Sequence, residues 1–115
     1  MDLKLEQGAY WMETGRVRRA EESEAALQRV QLTLATRRGS FLPKPEFGSR
    51  LHLLLREKPG ARETLAVGLV QEALAGERDL TVESVRLEDA GDGAVVLVVV
   101  VNWLGESLAV RQTIG

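Results

Sequence analysis

The sequence predicts an α+β fold: three helices packed on a three-stranded antiparallel β-meander, with an N-terminal β-ribbon or arm. Three observations predict it. Residues 21–76 carry apolar side chains at helical spacing, in segments closed by glycine and proline. From Leu80 onward the chain turns β-branched, and Asp92-Gly93 separates two such runs, the strongest short hairpin signal. Before residue 21, Gly8 and Gly15 punctuate a loosely alternating stretch, "DLKLEQGAYWMETGRVRR", that reads as short extended pieces joined by tight turns.

Each element follows from its own residues. "EESEAALQRVQLTLATRR" has acids first, Arg37 and Arg38 last, and Gly39 as a stop, the charge order that a helix dipole favours. Ala26, Leu27, Val30 and Leu34 share a face, so a helix is predicted over about 22–37. "SRLHLLLREK" sets Leu51, Leu54 and Leu55 on one face, with Ser49 as its predicted N-cap and Pro59-Gly60 as its end. "GARETLAVGLVQEALAGE" is amphipathic through Leu65, Ala66, Leu69, Val70, Ala73 and Leu74 and ends at Gly76. Gly68 inside it lowers helix propensity, for which a close packing contact is the expected reason.

Three strands are predicted in the remainder. The first has Leu80 and Val82 on one parity and Val85 and Leu87 on the other, so a bulge is expected between them. The second is apolar at every position from Ala94 to Val101, as a strand covered on both faces would be, by helices on one side and by the N-terminal arm or a partner on the other. The third, "ESLAVRQTI", is a natural edge strand. The 115 residues thus read as one domain: ribbon over 1–20, helical part over 21–76, meander over 77–115.

Composition bounds function. Apolar residues at 44% and charged residues at 28% are the balance of a folded soluble chain. A net charge of −2 gives no general attraction to nucleic acid or anionic membrane. There is no cysteine, which removes thiol catalysis and thiolate metal sites, and the one histidine, His52, lies in a leucine-rich turn. No apolar run approaches the roughly 20 residues that span a bilayer, and no secretory leader is recognisable. "EDAGDG" lacks the closing glutamate of a calcium loop. No catalytic, cofactor or metal residue is therefore assigned. Two carboxylates would suffice for glycoside hydrolysis, with Glu46 and either Glu57 or Glu77 as the pair to test, but one of them would need a desolvating cleft.

The most unusual stretch is "TRRGSFLPKPEFGSRL", Thr36 to Leu51, far longer than the roughly 4–6 residues that usually join helices. Together with the preceding helix it resembles the hallmark segment of the contractile-tail baseplate wedge family. These are the sheath-initiating proteins of contractile bacteriophages, many labelled tail lysozyme-like, with a counterpart in type VI secretion systems. The matching residues are Gln28-Arg29, Thr36-Arg37-Arg38-Gly39 and Pro45-Glu46-Phe47-Gly48-Ser49-Arg50-Leu51. The following helix, the three-stranded tail and the glycine-punctuated N-terminus fit the same family order, so the resemblance covers nearly the whole chain. Where many members have Glu-Pro-Arg, this chain has Glu77-Arg78-Asp79, without the proline and with Arg78 one residue early.

The resemblance implies a non-enzymatic structural protein whose partners are baseplate wedge proteins and the tail sheath subunit, with no nucleic acid, membrane or small-molecule substrate. It implies a location in the host cytoplasm during assembly and in the baseplate of the particle afterwards. Partner-binding residues are expected at Phe41, Pro45, Phe47, Arg50, Glu77 and Arg78, and at Leu108 and Val110 of the last strand, where strand addition would engage the sheath. The alternatives are a peptidoglycan hydrolase and, less strongly, a regulatory interaction protein of the same fold.

Overall fold

A computed structural model describes the backbone of residues 7–115 and the side chains of residues 18–115. The elements in order are α1 (Gln7–Ala35), a short 3₁₀ helix (Leu51–Arg56), α2 (Pro59–Leu74), β1 (Leu80–Gly91), β2 (Ala94–Trp103) and β3 (Glu106–Ile114). The strands form one antiparallel sheet in the order β1-β2-β3, so the α+β meander predicted from sequence is what forms.

The N-terminal ribbon is a correction. Residues 7–20 continue α1 and are not extended, so the helix predicted from about 22 begins at Gln7; residues 1–6 of the expected ribbon lie outside the described residues. Gly8 and Gly15 are tolerated because each glycine in a helix costs only about 1 kcal/mol. Over 29 residues that penalty does not outweigh the helix. The acidic run at Glu21, Glu22 and Glu24 is then a solvated helix face and not a first turn.

The core lies between one sheet face and the helices. Ala26, Val30 and Leu34 of α1 are buried, as are Leu51 and Leu54 of the 3₁₀ helix and Ala66, Leu69, Val70 and Leu74 of α2. They meet Val95, Leu97, Val99 and Val101 of β2, with Val85 on one side and Val110 and Ile114 on the other. Pro59 opens α2 at N1, where its missing N–H is no loss, and does not merely close the preceding turn. Gly68 is the second correction. A Cβ built there meets nothing within 4 Å, so no packing contact explains it.

Strand features follow the sequence closely. The register shifts between Val82 and Ser84, which brings Leu80, Val82, Val85 and Leu87 to the core side in turn. A second shift between Asp89 and Gly91 precedes the Asp92-Gly93 turn, where both residues have positive φ. On the outer face Val98 is only 7% exposed. Arg86 and Arg111 flank it in register, and an Arg111–Glu88 ion pair of 2.9 Å crosses the valine row. Val96 and Val100 on the same face are partly exposed.

Candidate functional site

The loop between α1 and the 3₁₀ helix is built as a rigid platform. Its two ends pair: Arg38 N–H donates to the Ser49 carbonyl at 2.9 Å, and Ser49 N–H to the Thr36 carbonyl at 2.8 Å. Gly39 N–H reaches the Pro45 carbonyl across the loop at 3.0 Å. Gly48 permits this closure for two reasons. Its φ is +109°, and a Cβ there would sit 2.6 Å from the Thr36 carbonyl oxygen. Arg50 holds the N-cap position of the 3₁₀ helix, and the Ser49 hydroxyl oxygen accepts from the Leu51 N–H at 3.5 Å. The buried Ser49 hydroxyl also donates to the Leu34 carbonyl at 2.8 Å, a carbonyl left open where α1 ends.

An ion cluster fastens the loop to α2. Arg50 donates through Nε and Nη2 to the two carboxylate oxygens of Glu72, each at 2.7 Å, a bidentate geometry. Arg38 Nη1 lies 3.6 Å from the same carboxylate, and its Nη2 donates to the Glu72 backbone carbonyl at 3.3 Å. Hydrogen bonding from Arg50 and then the charges of Arg50 and Arg38 hold the Glu72 pKa below the usual carboxylate value, against the opposing effect of burial. Arg50 is correspondingly harder to deprotonate, through its hydrogen bond to Glu72 and then that residue's charge.

This platform presents an apolar tip. Phe41 is 50% exposed and Leu42 81% exposed. Phe47 is half-buried and meets the Phe41 ring edge-on, with centroids 6.1 Å apart. A cleft of about 660 Å³ runs beneath the loop, lined by Arg29 and Leu32 of α1, Lys44, Glu46 and Phe47 of the loop, and Glu72 and Glu77. Three carboxylates therefore share this cleft, but Glu46 is exposed, Glu77 pairs with Arg29 at 3.5 Å, and Glu72 is held ionised. A general acid needs the opposite setting, a desolvated carboxyl that keeps its proton. Glu57 lies elsewhere, its carboxylate accepting from the Lys58 N–H.

The sheet edges are the second candidate surface. β1 and β3 are both outer strands, and they differ. β1 carries two register shifts, whereas β3 pairs continuously with β2 from Glu106 to Ile114. Bulges twist and blunt an edge, so β3 is the flatter template for another strand.

The expected partner-binding residues thus fall in three places. Phe41, Pro45 and Phe47 lie on the loop, while Arg50 is exposed but spends its guanidinium on Glu72. Glu77 lines the cleft, and Arg78 is exposed beside it in sequence. Leu108 packs against the core, and Val110, at 1% exposure, is part of it, so these two offer a partner main chain and not side chains. Sequence reasoning missed Leu42, the most exposed large apolar side chain of the loop, because a leucine between Phe41 and Pro43 carries no periodic signal.

Reasoning from sequence also missed Arg19. Its guanidinium stacks 4.5 Å from the Trp103 ring centroid, donates to the Leu104 carbonyl at 2.7 Å and lies 3.9 Å from the Glu106 carboxylate. It fixes α1 to the β2–β3 turn, where Leu104 takes a positive φ of 49°. Among the described residues no three His, Asp or Glu side chains gather as a metal site, and no helix is long and apolar enough to cross a membrane.

No protein-family model matches the chain. No curated protein matches it either. Among solved structures it is similar to the crystal structure of a protein from Geobacter sulfurreducens named "putative tail lysozyme". The two superpose with a TM-score of 0.63 and 19% sequence identity, over 81% of this chain and 87% of that one. At that identity the likeness is one of fold.

Proposed function

We propose that this chain is a non-enzymatic structural component of a contractile phage-type tail baseplate, which binds wedge partners through its loop and starts the sheath by strand addition. The observation that carries the reading is the β3 edge: nine residues without a bulge, at the rim of a fold shared with a protein named "putative tail lysozyme". An open, flat edge is a standing aggregation hazard, so a chain that keeps one has a use for it. Strand addition supplies that use, with main-chain hydrogen bonds for affinity and alternate side chains for selection. The loop serves as the second contact. Pro43, Pro45 and the cross-loop hydrogen bonds restrict it before binding, which lowers the entropy lost when a partner meets Phe41, Leu42 and Phe47. In this reading the protein assembles in the host cytoplasm and ends in the tail particle.

The neighbour's name raises a hydrolase reading, and the shared cleft of Glu46, Glu72 and Glu77 is where it would have to act. The pairing of Glu72 and Glu77 with arginines argues against a proton donor there. Affinity capture from a lysate of assembling contractile tails tests the assembly reading. Deleting β3 would remove Val110 and Ile114 from the core, so the edge is blocked instead by Ala109→Pro and Gln112→Pro, one on each parity of the strand. Wild-type chain is expected to retain sheath and wedge proteins, and the folded variant that lacks an edge-facing N–H is expected to lose the sheath alone. Retention of no tail protein, together with murein cleavage abolished by Glu46→Gln or Glu77→Gln, would overturn the reading.

A further inference from the structure

The β1–β2 turn is made from a dipeptide with a chemistry of its own. Asp92 and Gly93 join the paired residues Gly91 and Ala94, and both hold positive φ, at 53° and 81°, the pattern of a type I′ turn. Asp92 is exposed, and it is the only aspartate in the chain that precedes a glycine. Asp2, Asp79 and Asp89 precede Leu3, Leu80 and Ala90, whose side chains crowd the next amide nitrogen. The Asp89 carboxylate is also held, accepting from the Gly91 N–H at 2.9 Å. Around Gly93 the space is open: a Cβ built there meets nothing within 4 Å. Beside the turn, a cavity of about 420 Å³ lies toward Pro59, Arg62 and Glu63 of α2.

Type I′ and type II′ turns share a positive φ at their first central residue and differ by a flip of the central peptide. Glycine at the second position accepts either sign of φ, so this turn can make that flip. The flip carries the Gly93 nitrogen round to the Asp92 carboxyl carbon. We propose that Asp92 is an isomerisation site of the folded chain, where the turn converts to isoaspartate through a succinimide and loosens the adjoining end of β3. In the first step the Gly93 nitrogen attacks Cγ of the carboxylic acid and a C–N bond forms. The acid's hydroxyl leaves with the proton from that nitrogen, as water. In the second step water adds to one ring carbonyl and breaks its bond to the nitrogen. Opening at Cγ restores aspartate. Opening at the former main-chain carbonyl gives isoaspartate, with the backbone routed through Cβ and Cγ and the α-carboxylate as the side group. The extra backbone atom does not fit a two-residue turn, so the Gly91–Ala94 closing pair is lost. Val95, the next residue, pairs with Ile114, whereas Arg19 holds the opposite end of β3 near Glu106. None of this depends on strand addition.

The full chain and the capped peptide acetyl-Ala-Gly-Asp-Gly-Ala-Val-amide are incubated side by side at pH 6. Isoaspartate is read by enzymatic methylation and peptide mapping. It is expected at Asp92 and not at Asp2, Asp79 or Asp89, forming within about tenfold of the peptide's rate. Urea below the unfolding midpoint lowers global stability but is expected to leave that rate unchanged, because only the turn has to open. Asp92→Asn keeps the turn and is expected to reach the same isoaspartate faster, with ammonia leaving in place of water. In the converted chain, amide exchange around Val95 and Ile114 is expected to quicken at least about threefold, with Glu106 unchanged. An unconverted Asp92 in a sample whose peptide has converted would overturn the proposal. So would a rate that climbs with urea as global unfolding does, or unaltered exchange around Val95 and Ile114 after conversion.

Discussion

Gly48 and Gly68 make opposite demands on the chain, and a methyl group separates them. At Gly48 a Cβ would collide with the Thr36 carbonyl at 2.6 Å in a backbone already at φ +109°, so Gly48→Ala is expected to cost about 2–3 kcal/mol, read from the urea midpoint. At Gly68 the same atom would meet nothing within 4 Å on an exposed helix face, so Gly68→Ala is expected to raise stability by up to about 1 kcal/mol. Glu72 adds a pH signature. Its folded pKa lies below the unfolded value near 4.5, so its contribution is present above that pH and is lost as pH falls through the folded value. Thermal melts between pH 6 and pH 3 are expected to show this loss in the wild type and a shallower pH dependence in Glu72→Gln.

At the scale of elements, α2, the β1 bulge and the Asp92-Gly93 hairpin were legible because each has a local cause: helical spacing, a parity switch, and two residues that accept positive φ. The start of α1 was not. Glycine at two positions mimics turns, and local propensity cannot report that a helix anchored by Ala26, Val30 and Leu34 continues to Gln7. The contacts made by Arg19 and Arg50 were not legible for a related reason. The contacts of Arg19 with the β2–β3 turn and of Arg50 with Glu72 join residues 85 and 22 positions apart, which no window of sequence displays. Arg19→Ala should therefore loosen α1 from the β2–β3 turn. Amide exchange around Leu104 and Glu106 is expected to accelerate in that variant while exchange in α2 stays unchanged.

For the whole molecule, the helices cover one sheet face, an Arg111–Glu88 pair crosses the other, and among the described residues β3 pairs only with β2, beside a loop with an apolar tip. Such an arrangement suits a protein that is completed by its neighbours. Of the three cleft carboxylates, Glu72 ties the loop to α2 through Arg50, and Glu77 pairs with Arg29 of α1. The most direct measurement is hydrogen–deuterium exchange of residues 106–114 in the free chain and in its complex with a purified contractile-tail sheath subunit. Strand addition predicts that the edge-facing amides of β3 slow at least about tenfold in the complex, with little change in β1. A complex that forms while β3 exchanges at its free rate would contradict the account and move the interface to the loop.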